Sequence, residues 1–159
     1  MPQPTPIDIR ELLLAEIKAQ EPKDQFGPSL QQGAVLDAVA RRFGQHRSQE
    51  LEQAVLTQWN ELFRTGLLAW GLNLSNPNPP FLHQTERGRQ ALANLTRDPS
   101  NPAGYLRHLA SIATLDPIAI AYLTEGLQFY VAGLFKCSDV IIGCASAGVI
   151  LGLQGSGVP

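Results

Sequence analysis

Charge is scarce in this chain. Asp, Glu, Lys and Arg make up 16% of its 159 residues, and the net charge is −2. A low-charge chain of this length hides surface in a partner or an oligomer. It also carries no global positive field of the kind that marks nucleic-acid binders. Only the middle is net positive. Residues 33–97 hold seven Lys/Arg against five Asp/Glu, while 1–32 hold three against five and 98–159 two against four. Cysteine is nearly absent. Cys137 and Cys144 lie seven apart in an apolar helical pattern, about 10 Å along a helix, which is too far to pair. They are expected to be buried, reduced thiols of a cytoplasmic protein. No long hydrophobic run occurs. The longest, Val140–Leu153, has 14 residues, short for a membrane span and suited to a core helix. The opening MPQPTPIDIRELLLAEIKAQ has proline and acid where a signal peptide would have a basic and then an apolar stretch.

What is present is helical periodicity, one switch to strand, and back again. Residues 1–6 read as a proline-broken tail. Asp8 is placed to cap a helix to about Gln20, with Ile9, Leu12, Leu13 and Ile17 on one face. Residues 22–30 are a turn-rich connection. From Gln31, Val35, Leu36, Val39 and Phe43 recur at helical spacing, and Gly44 closes that helix. Ser48 caps the next, whose stripe is Leu51, Val55, Leu56, Trp59, Leu62 and Phe63. Gly66 ends it. Leu68, Trp70, Leu72 and Leu74 then alternate inward as a half-buried strand. SNPNPP is a loop, because its prolines lack donors. Phe81–His83 returns as a second strand, and Thr85 caps a helix to Leu95 with Glu86 in its first turn.

The segments Ala34–Gly44, Ser48–Gly66, Leu67–Leu74 and Phe81–Leu92 together resemble a bacterial winged helix-turn-helix domain. The corner Leu82-His83-Gln84-Thr85-Glu86-Arg87-Gly88-Arg89 is similar to the one that follows the wing in many such proteins. The resemblance covers about 75 residues and speaks to fold more than to function. It implies a fold that is mainly α with a small β-wing. The domain would span 31–96, preceded by a tail and packing helix at 1–30.

Residues 97–104 read as a linker, followed by a helix over Tyr105–Ala113. Asp116-Pro117 is a helix start, with proline at the first helical position. That helix breaks near Gly133, and a second runs from about Leu134, giving a C-terminal hairpin over 105–153 and a tail at 154–159. The pattern Tyr122-Leu123, Glu125-Gly126-Leu127, Tyr130, Gly133-Leu134-Phe135 and Gly143-Cys144-Ala145-Ser146 resembles the opening helix pair of HEPN-type domains of bacterial defence and toxin proteins. Ala147 stands where that pattern has an acid, and the family's Arg-x4–6-His ribonuclease motif is not in this segment. A helix pair this apolar must pack on the rest of the chain, dimerise, or meet helices from elsewhere.

The winged-helix resemblance implies that the helix from Ser48 enters a DNA major groove. Gln49 and Gln53 would read bases, and Arg41, Arg42, Arg47, Arg87 and Arg89 would hold phosphates. The acids Glu50, Glu52 and Glu61 weigh against this, and a protein-contact or scaffold role in a defence-type assembly is the alternative. The front part of a HEPN-type toxin is a third reading. Arg41 and His46 match the ribonuclease spacing, but outside the HEPN-like segment. His83 is expected to be a hydrogen-bonded strand residue, and Trp59 and Trp70 core residues. Asp116, Glu125 and Asp139 are too dispersed for a metal site. No cofactor is implied, no set of groups converges for acid–base catalysis, and no membrane partner is expected. The leading expectation is a non-enzymatic DNA binder, dimeric through its C-terminal helices.

Overall fold

The computed structural model describes residues 4–21, 29–44 and 48–155, and of 147–155 only the helical backbone. The fold class is as expected from the sequence: mainly helical, with one small antiparallel sheet. The chain divides into two compact units, Met1–Asn94 and Leu95–Pro159.

The first unit begins with α1, Pro6–Ala19. Its cap is Thr5 rather than Asp8. The Thr5 hydroxyl accepts from the Asp8 amide at 3.2 Å, and the Asp8 carboxylate accepts from the Thr5 amide at 2.9 Å. Asp8 thus supplies the reciprocal half of a capping box, and Pro6 follows the cap, where no amide donor is needed. α1 buries Ile9, Leu13, Leu14 and Ile17 and packs on α2, Gln32–Phe43, and α3, Gln49–Arg64. It therefore belongs inside the unit, across the boundary that the sequence placed at residue 30. Val35, Val39, Trp59, Leu62, Leu67 and Leu82 complete this core. Each such side chain contributes roughly 1.5–3 kcal/mol of burial. Ser48 caps α3 as expected, accepting from the Leu51 amide at 3.2 Å.

The sheet is shorter than the alternation predicted. β1, Leu68–Trp70, pairs with β2, Leu82–Gln84, placing Leu68 opposite Gln84 and Trp70 opposite Leu82. Gly71 ends β1 with φ at +92°, and a Cβ there would meet the Pro77 carbonyl at 2.7 Å. The chain turns into a loop in which the Asn73 side chain accepts from the Ser75 and Asn76 amides. Leu72 and Leu74 consequently do not continue the inward row, and Leu74 is fully exposed. A further pairing was not anticipated. The Leu82 amide donates to the Leu30 carbonyl and the Gln32 amide to Pro80, bracketing a bridge between Gln31 and Phe81. Leu30–Gln31 thereby lines the edge of β2 opposite β1, because Phe81 turns its carbonyl the other way, to the Gly71 amide.

α4, Glu86–Ala93, starts at Thr85 as predicted. The Thr85 hydroxyl accepts from the Gly88 amide at 3.0 Å and donates to the Gly66 carbonyl at 2.6 Å. One side chain thus caps α4 and anchors it to the end of α3.

The second unit holds α5, Pro102–Ile112, α6, Pro117–Val131, and α7, Phe135–Gly155. α5 begins inside the expected linker. Asn101 caps it and ties it to the Leu95 carbonyl at 2.8 Å. α6 and α7 form the predicted hairpin around Gly133, and Asp116 caps α6 at 2.8 Å. Ala119, Gly126, Leu127, Ser138 and Ala145 are buried. Cys137 and Cys144 are exposed, not buried, because they lie about a quarter turn round α7 from the buried Ser138 and Ala145. Among the described residues, no helix is long and apolar enough to cross a membrane.

Candidate interaction surface

The residues expected on DNA fall into three sets. The first is the exposed side of α3. Gln49, Gln53 and Asn60 recur there at helical spacing and are all exposed. The Thr57 hydroxyl on the same side donates to the Gln53 carbonyl at 2.8 Å. Exposed Glu50 and Glu52 flank this row in the first turn. The Glu50 carboxyl is held below its ordinary value of 4.5, by its own backbone amide first and by Ser48 second. It is ionised at neutral pH, and the N-terminal turn of α3 is locally anionic.

The second set lies on α2. Arg41 is exposed. Arg42 reaches back to α1, placing Nε at 3.0 Å and Nη2 at 2.9 Å from Glu16. Arg47 and His46 lie outside the described residues. The third set is the corner after β2. Arg87 Nη1 donates to the Thr65 carbonyl at 2.7 Å, tying α4 to the C-terminus of α3. Arg89 donates to the Gln84 carbonyl at 3.1 Å and pairs with Glu86 at 2.6 Å. These two arginines hold the corner together, a use that pattern reading missed, because the carbonyls they bind, of Thr65 and Gln84, lie on other segments.

A second ion pair lies within α3. Arg64 pairs with Glu61 one turn earlier through Nε, at 2.8 and 2.9 Å, and through Nη2. That hydrogen bond is the main reason the Glu61 carboxyl lies below its ordinary 4.5. Partial burial opposes it, and the charges of Arg64 and the buried Arg10 add to it. The pair is largely exposed, so its worth is below about 1 kcal/mol. Because the folded-state value is depressed, that contribution is present above the unfolded value and is lost as pH falls through the folded one. We therefore expect Glu61→Gln to lower stability slightly at pH 7. In urea denaturation the gap from wild type should close on acidification to about pH 3. A gap that widened would contradict the pairing.

Trp59 is 1% exposed, as expected of a core residue, but Trp70 is 37% exposed. Its ring stacks on Phe63 at 4.2 Å between centroids, and Phe63 meets Trp59 edge-on at 5.3 Å. The alternation that placed Trp70 inside stops at Gly71, so its ring covers Phe63 instead. His83 Nδ1 lies 2.5 Å from the Gly71 carbonyl oxygen, the hydrogen-bonded role expected of it. Among the described residues, no cluster of three or more His, Cys, Asp or Glu could hold a metal ion.

One surface had no counterpart in the sequence reading. α2 and α3 do not close completely on each other. Between them lies an open groove of about 170 Å³, floored by Leu36, Val39 and Phe43 of α2 and Leu51, Val55 and Leu56 of α3. Asp37 and Glu52 stand on its two walls. Leu56 is 45% exposed. The α3 stripe held the signal, since Leu56 is out of phase with Val55, Trp59 and Leu62, which are buried.

No family model matches this chain, and neither a curated protein nor a solved structure does.

Proposed function

We propose that the first unit is a winged helix-turn-helix domain acting as a non-enzymatic protein-interaction module. The order helix, short strand, helix, helix, strand, strand supports the fold reading, with Leu30–Gln31 as the first strand and the β1–β2 hairpin as the wing. The observation that carries the protein-contact role is how the arginines are used. Arg87 and Arg89 brace the domain's own main chain, Arg42 pairs with Glu16, and the acidic residues Glu50 and Glu52 occupy the turn of α3 that would meet bases. Carboxylates there repel phosphates at close range.

Duplex DNA is the second reading. The shared exposed row of Gln49, Gln53 and Asn60 favours it, since amide side chains read adenine. Exposed Ile118 and Val140 on the C-terminal hairpin support association with another chain.

Duplex binding measured against salt separates the readings. The protein-interaction role predicts weak binding whose log–log slope is shallower than about −1, unchanged by Arg41→Ala with Arg42→Ala. A slope near −4 that flattens by about one per arginine removed would establish the DNA role instead.

A further inference from the structure

We draw no further inference here: the strongest candidate, the open apolar groove between α2 and α3 beside the partly exposed Leu56, carries none, because nothing in the structure shows what covers it.

Discussion

Gly88→Ala should destabilise the first unit by more than about 3 kcal/mol, an overpacking cost at the upper end because backbone must move. Gly88 is buried in the first turn of α4, and a Cβ there would fall on the Leu67 carbonyl oxygen. That carbonyl also accepts from the Thr85 amide at 3.1 Å, so it cannot retreat without loosening the corner. Local propensity predicts the opposite sign. Alanine in a helix gains roughly 0.5–1 kcal/mol over glycine. Chemical denaturation followed by circular dichroism therefore decides by sign, not by magnitude alone. A variant as stable as wild type, or more so, would show that α4 does not approach Leu67. Against a typical total stability of about 5–15 kcal/mol, the expected loss leaves much of the unit unfolded on mild heating.

Trp59→Ala should cost about 3–5 kcal/mol, the usual range for emptying a buried aromatic site. Trp59 is fully buried on α3 and meets Phe63 edge-on, and Phe63 in turn stacks on Trp70. Its removal opens a cavity in the core of the first unit and releases the aromatic series that ends on Trp70 of β1. Trp59→Phe should cost much less. It keeps most of the ring and deletes an indole N–H that meets no hydrogen-bond acceptor among the described residues. Equal losses for the two substitutions would mean that the indole N–H, not the ring volume, holds the site. Urea titrations monitored by circular dichroism give both numbers on one scale.

The helix starts at Ser48, Thr85 and Asp116 were legible because a cap is decided within four residues. The start at Thr5 was misread by three residues, because the capping box uses both Thr5 and Asp8. Leu30–Gln31 left no trace, since two residues carry no period. Cys137 and Cys144 looked buried because their helix is apolar on every side, and such a helix does not reveal which side meets its neighbour. The candidate site was half legible. Gln49 and Gln53 were correctly set on one exposed side of α3. Arg42 and Arg87 appeared free because Glu16 lies 26 residues from Arg42, and the Thr65 carbonyl 22 from Arg87.

The corner from Leu82 to Arg89 divides the two kinds of information. Residue type and spacing alone settled that a strand gives way there to a helix capped by Thr85, because hydrogen bonds within one turn enforce it. Spacing alone also settled the helix–helix–helix–strand–strand–helix order, through its switch from period 3.6 to 2 and back. Packing decided the rest. Gly88 is required because α4 lies against Leu67, and Arg87 is structural because the end of α3 presents a carbonyl to it. The groove exists because α2 and α3 line it together while Leu56 stays partly uncovered between them. These are relations between surfaces distant in sequence, and only the folded chain brings such surfaces within contact range.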